Sequence, residues 1–462
     1  MTRILCSPRI WSLITLWLLL SVAPPLRAEQ GKTPDSSGGV ALTLGNAIQK
    51  ALANNPRLAA VQCEVDASAA RLIQARSGLL PQVNVSESFS RTTNPTAAFG
   101  TKLNQEVITQ SDFNPAVLND PAAVNNFTTT LSVTLPVFDS GQTWIGLSQA
   151  KLDEKAVNLA AARIRQEVAA ETVIAYVGVQ LAIENLHVVE QALTTAGAHL
   201  NMVRSRLQSG LVVKSDFLRA EVHLADLEQQ RLQAQSQVEV AHAALNAAMG
   251  IAVEQAFRLT SRLERGPALH DPLEAWTRRA LAQRPDLGRM RYQETMMEKE
   301  ISKRKAAHLP SLYLSGSYEI NSEDFSESAN NYSVGAMMRL NLFSGYGVQS
   351  KVAEATANLR RVQAMIQQLE LGITLETKQA FLQAESSWQR IAVAEAALSQ
   401  AEEGLRIVRN RYENGLYTIV DLLDAEVALQ QARTNYVRSL HDYAVAKTRL
   451  ALAAGNEAET SP

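Results

Sequence analysis

The sequence is poor in the groups that would make it an enzyme, a disulfide-knit secreted domain or a nucleic-acid binder. It has two cysteines, Cys6 and Cys63, among 462 residues, too few for a disulfide framework. Its seven histidines are scattered, and no Cys/His cluster has metal-ligand spacing. No glycine-rich phosphate loop occurs, and we read the chain as having no catalytic residues, cofactor or metal. Isolated histidines such as His187 and His242 read as helix-surface residues. The formal net charge of −2 lacks the basic excess of a nucleic-acid binder. Aromatics are only 5%, while alanine is abundant, a mixture suited to long helices packed closely. The 22 glycines and 15 prolines fall in clusters, so they punctuate long elements.

One long apolar run stands out, Ile10 to Val22, preceded by Arg3 and Arg9 and followed by a small-residue site at Ala28. This is the pattern of a secretory signal peptide, expected over 1–28, with a tail over 29–41. Cys6 precedes the run and no cysteine stands at the cleavage site, which argues against N-terminal lipidation. With Cys6 removed, Cys63 has no partner, and stability has to come from packing.

The remainder is written twice. Arg206, Gly210, Asp216 and Glu221 recur as Arg411, Gly415, Asp421 and Glu426, each 205 residues later. Asn55-Pro56-Arg57-Leu58 recurs as Arg284-Pro285-Asp286-Leu287, and Leu80-Pro81 as Leu309-Pro310, both 229 residues later. The difference of 24 residues is an insertion in the first copy between Pro81 and Phe127. The units are 42–250 and 272–455, joined by a linker over 251–271, with a C-terminal tail over 456–462.

Each unit contains two alternating stretches. Val83, Val85 and Phe89 oppose Asn84, Ser86 and Ser88; Phe127, Leu131, Val133, Leu135 and Val137 oppose a row of Thr and Ser. Leu312, Leu314, Tyr318 and Ile320, then Tyr332, Val334, Met338 and Leu340, repeat the pattern. Such alternation predicts half-apolar strands, hence a hairpin over 82–138 and another over 311–343. The first hairpin's loop, about 92–126, is polar and reads best as a solvated loop, with folding over a pore or serving as a phage or colicin receptor as the alternatives.

Heptad seams fill the rest: Leu186, Leu193, Leu200 and Leu207 in the first unit, Ile391, Leu398, Leu405 and Tyr412 in the second. They predict long helices over 141–209 and 346–414, each about 100 Å at 1.5 Å per residue. A Gly that can end a helix and a Ser/Thr/Asp cluster that can cap the next lead into return helices over 215–249 and 420–454. The helix before the first strand, 44–77, is half-length, as is the return helix. Two half-length helices stacked end to end are expected beside each long one.

Four half-apolar strands cannot close a barrel, and open edges invite pairing with other chains. Strands of this length and alternation suit an outer-membrane barrel closed by oligomerisation. A secreted soluble coiled-coil scaffold leaves these strands unexplained, and a stand-alone porin has no use for such long helices.

The doubled helix–hairpin–long helix–tip–helix unit, Arg-Pro-Asp-Leu at 284–287 and Gly-Leu-Tyr-Thr-Ile-Val-Asp-Leu-Leu-Asp-Ala-Glu at 415–426 resemble the TolC family of outer-membrane efflux proteins. The resemblance covers about 42–455, and the lack of a lipidation cysteine fits its unacylated branch. It implies an α+β membrane protein: a homotrimer whose twelve-stranded β-barrel, four strands per chain, sits in outer-membrane lipid. A long antiparallel coiled-coil α-barrel would continue it across the periplasm. It also implies the exit duct of an efflux or type I secretion system, joined to a periplasmic adaptor and an inner-membrane pump of RND or ABC type. The tips, with Gly210, Leu211, Asp216, Gly415 and Leu416, are then the adaptor-docking surface. Asp421 and Asp424, three apart on one helix face, match the family's ring of carboxylates, a cation-sensitive periplasmic gate. Turn chemistry and the helix dipole are the purely structural explanation of the same residues. Arg219 stands where the second copy has Asp424, so the copies differ in charge here.

Overall fold

The computed structural model describes residues 40–456, so the expected signal peptide lies outside the described residues. In chain order the elements are β1 (Val40–Leu42), α1 (Leu44–Asn54), α2 (Pro56–Ser77), β2 (Gln82–Thr92), α3 (Pro95–Asn104), α4 (Pro115–Asn119), β3 (Val124–Phe138), α5 (Gln142–Gln208) and α6 (Lys214–Met249). There follow β4 (Phe257–Leu259), α7 (Leu273–Gln283), α8 (Pro285–Ala306), β5 (Ser311–Ser322), β6 (Ala329–Arg339), α9 (Gly347–Glu413) and α10 (Ile419–Ala453).

Strands β2-β3-β5-β6 form one antiparallel sheet in that order. Gln82 pairs with Thr134, and Ser311 with Arg339. Ser311 lies 229 residues after Gln82, and Arg339 lies 205 after Thr134, so both hairpins share one register. That register collects the alternation into rows. Val85, Leu131, Tyr318 and Tyr332 form an apolar row; Ser86, Thr130, Glu319 and Asn331 form a polar one on the other face. A shift between Pro136 and Phe138 sets Phe138 opposite Leu312, so this bulge re-aims an aromatic ring onto the apolar face. Strand β6 stops at Arg339, four residues short of the expected hairpin end at 343. Residues 340–346 instead turn the chain into α9, with Gly345 and Tyr346 both at positive φ.

The 67-residue helices α5 and α9 run the length of the helical part. Toward the tips α6, α5, α10 and α9 pack side by side; toward the sheet α2, α5, α8 and α9 do so. Of the seams read from sequence, Leu200, Ile391, Leu405 and Tyr412 are each under a tenth exposed, as are Leu422 and Tyr443 of α10, which pack against them. One window of α5 is apolar enough to pass for a membrane span, yet half of it is buried inside the protein, as befits a central packing helix.

The single helix expected over 44–77 is two. Pro56 disfavours helical geometry at Asn55, whose ψ is 123°, and the chain breaks there. Pro285 does the same at Arg284. Helix α1 leaves the column and buries Leu44, Ala47, Ile48 and Ala51 against α5, α6 and the small β1–β4 sheet. The half-length helices that do stack are α2 on α6 and α8 on α10. Their junctions are equivalent: the Asn55 side chain donates to the Ala248 carbonyl, and Arg284 donates to the Ala453 carbonyl. The linker over 251–271 supplies β4 and lies along the helices, where Ser261 accepts from Gln180.

Candidate functional site: the helical tips

Both tips end their long helix by the same device. Gly210 has φ +72° and Gly415 φ +73°. In each case the Gly N–H returns to the carbonyl three residues back, Leu207 or Tyr412, and the following Leu N–H to Arg206 or Arg411. This is the glycine-terminated Schellman arrangement, in which a left-handed residue satisfies the last helical carbonyls. It throws Leu211 and Leu416 outward, 75% and 72% exposed. The tips are held together. Arg206 lies over the Tyr412 ring, 5.1 Å from its centroid, and donates to the carbonyls of Tyr412 and Glu413 at 3.2 and 2.9 Å. Beneath them Val203, Leu405, Tyr412, Ile419, Leu422 and Leu429 form a local core. Gly210, Leu211, Gly415 and Leu416 therefore lie at one end of the molecule, and Asp216 stands in the first turn of α6 beside them.

The two gate candidates have different surroundings. Asp421 closes a capping box: its carboxylate accepts from the Thr418 N–H at 2.8 Å and hydroxyl at 2.6 Å, while the Asp421 N–H donates back to Thr418. The Thr418 hydroxyl and N–H hold this carboxyl below its ordinary value. Asp424 is exposed and makes no hydrogen bond or ion pair among the described residues. It lines a groove between α6 and α10 with Arg219, His223 and Asp226. Asp421 is thus occupied in starting α10, and Asp424 is the carboxylate free to act at a distance. We expect Thr418→Ala to cost about 1 kcal/mol at the start of α10, read as faster amide exchange over its first turn; unchanged exchange refutes the cap.

Sequence reading missed a buried cluster just above. Glu426 on α10 abuts His199 of α5 with one oxygen and lies 3.7 Å from His223 of α6 with the other. Both Glu426 and His199 side chains are 8% exposed. The three residues belong to three separate helices, so no spacing in the sequence announces them. Among the described residues no group has the arrangement of a metal site.

A family model for outer membrane efflux proteins matches residues 47–251 and 276–456. The outer membrane protein TolC of Vibrio cholerae is 23% identical over 92% of this chain and 93% of its own. The alkaline protease secretion protein AprF of Pseudomonas aeruginosa is 23% identical over 90% of this chain and 85% of its own. Among solved structures, the CmeC outer membrane channel of Campylobacter jejuni superposes with a TM-score of 0.75 at 19% identity, covering 95% of each chain. The chain is a member of the outer membrane efflux protein family, an outer-membrane exit channel that reaches into the periplasm.

Proposed function

We propose that three copies of this chain assemble into a closed conduit that receives cargo from a periplasmic adaptor and an inner-membrane pump of RND or ABC type. The observation that carries the reading is the sheet. Its outer strands β2 and β6 have no further partner among the described residues, and its apolar face is bare: Val85 is 70% exposed, Tyr332 80% and Val334 82%. A water-exposed face of this kind, with two open edges, calls for lipid on the face and copies of the chain at the edges. Three copies supply twelve strands, with the polar rows of Ser, Thr and Asn turned to the lumen.

Exposed aromatics support the placement. Phe89 and Phe325 stand near one end of the sheet, and Phe138, Trp144, Phe343 and Tyr346 near the other. From Phe127 to Phe138 the strand runs about 37 Å, or about 28 Å along the normal when tilted about 40°, close to the apolar height of such barrels.

At the opposite end, the outward Leu211 and Leu416 are apolar knobs for the adaptor, with Gly210, Gly415 and Asp216 shaping the turns. Asp421 and Asp424 of three chains ring the mouth. Crowded like charges favour cations there and resist close approach.

Planar-bilayer conductance of detergent-purified protein tests the reading, beside heated and unheated electrophoresis. The expected result is a heat-labile trimer with small, cation-selective, divalent-blocked channels. Asp421→Ala/Asp424→Ala should raise the conductance and weaken the block, and Asp424→Ala alone should account for most of the loss of block. A species soluble without detergent and lacking conductance removes the membrane conduit; unchanged conductance in the double variant removes the gate.

A further inference from the structure

The insertion that distinguishes the first hairpin is exposed over much of its length, as a solvated loop would be, yet it is folded and anchored. Between β2 and β3 the chain forms α3, a single turn at Gln110–Phe113 and α4. Asn94 and Asn114 cap the two helices through their side chains. Lys102 reaches from α3 to Asp112 at 2.7 Å, and Phe99 meets Phe113 edge-on at 5.6 Å. The Lys102 ammonium, with the Thr109 N–H and hydroxyl, brings the Asp112 carboxyl down to about 2.

This folded segment lies on one particular face of the sheet. Gln105 donates to the Asn125 carbonyl and to Asn126, whose amide donates on to Thr128 and Asn321. Asn126, Thr128 and Asn321 belong to the polar rows, as does Ala329 beyond them. Val124, Asn126, Asn321 and Ala329 are all 7% exposed or less, whereas Phe89, on the apolar face of the neighbouring row, is 58% exposed. Ala98 of α3 is 1% exposed, which marks firm seating.

We propose that residues 93–123 form a fixed collar inside the outer mouth of the channel. The collar limits passage to small solutes and extended chains and bars bulky folded or polymeric molecules. The inference rests on the proposed barrel, because only in a barrel with the polar face inward does a segment on that face stand in the lumen. Buried amide-to-amide bonds are lost at a cost if the segment swings away, since each group would be left unpaired until it reached water. A three-fold repeat would set three such segments around one opening. The second hairpin, whose connection is only 323–328, contributes none.

The test labels single cysteines on intact cells in a Cys63→Ser background. Thr134→Cys lies on the polar face below the collar, and Val133→Cys on the apolar face. Each is made in the parent and in a protein whose residues 93–123 are replaced by the chain's own 323–328 turn. The reagents are a small charged maleimide and a polymer-linked maleimide, with the heat-labile oligomer as the check of assembly. The small reagent should label Thr134→Cys in both proteins, and the polymer-linked one only after the replacement. Polymer labelling that is equal in the two proteins, whether present or absent, overturns the collar. Labelling of Val133→Cys in place of Thr134→Cys overturns the inward polar face instead. If the replacement fails to assemble, Lys102→Ala/Gln105→Ala loosens the same contacts: admission of the polymer reagent supports the collar, and continued exclusion overturns it.

Discussion

Replacing Arg284 with alanine should destabilise the protein by about 3 kcal/mol, the lower end of the range for breaking a buried ion pair. Its side chain is 5% exposed and makes a fork to Asp286 at 2.7 Å and a second bond to Glu376 at 2.5 Å. It also donates to the carbonyl of Ala453, the last residue of α10. One guanidinium therefore joins the α7–α8 break, the middle of α9 and the end of α10. The lower end applies because Asp286 and Glu376 keep 25% and 48% of their side-chain surface in water. Burial opposes the charge on Arg284, but its bonds to Asp286 and Glu376 outweigh that and raise its pKa. Burial alone would raise Asp286 as well; the bonds from Arg284 outweigh it and hold the Asp286 carboxyl below its ordinary value. A depressed carboxyl stabilises the fold above its unfolded value and ceases to do so as acid protonates it in the folded state. The thermal midpoint of the purified protein should thus fall in Arg284→Ala, and its decline below about pH 4 should be shallower than the parent's. Arg284→Lys should recover only part, since an ammonium cannot make the fork. A midpoint equal to the parent's would show that the junction is held by packing alone.

The same junction marks where sequence reading reaches its limit. The two-fold repeat was legible because equivalent residues recur at fixed offsets, and the strands because Val85, Leu131 and Tyr332 alternate with Ser and Thr. The helix ends were legible at Gly210 and Gly415, where left-handed residues are followed by capping groups. The break at Asn55 and Arg284 is written in the following prolines, but the helical periodicity that continues on both sides masks it. The orientation of Asp421 depended on Thr418, three residues earlier, a capping-box spacing that local sequence does carry. The Glu426 cluster and the seating of Gln105 on Asn126 could not be read, because each joins elements far apart in the chain. Long-range contacts of single side chains leave no period and no local motif.

Gly250→Ala, by contrast, should cost about 3 kcal/mol, part of it for a reason that no local reading supplies. Gly250 adopts φ +69°, and an alanine there pays a steric cost of about 1–2 kcal/mol. A Cβ would also stand 2.6 Å from the Asn54 carbonyl oxygen and the Asn55 Cα, backbone atoms that cannot rotate away. Overpacking of this kind adds about 1–3 kcal/mol. Gly210 is the matched control: its φ is +72°, and a Cβ there meets open space. Gly210→Ala should therefore show the conformational part alone, about 1–2 kcal/mol. Gly250→Ala should go further, wedging the end of α6 away from the start of α2 and lengthening that column. Thermal midpoints of the two purified variants separate the contributions. Equal losses would mean that the α2–α6 junction has room for a Cβ and is not closely packed. A larger loss at Gly250 shows that the end of α6 meets the Asn54–Asn55 backbone so closely that only a residue without a Cβ fits there.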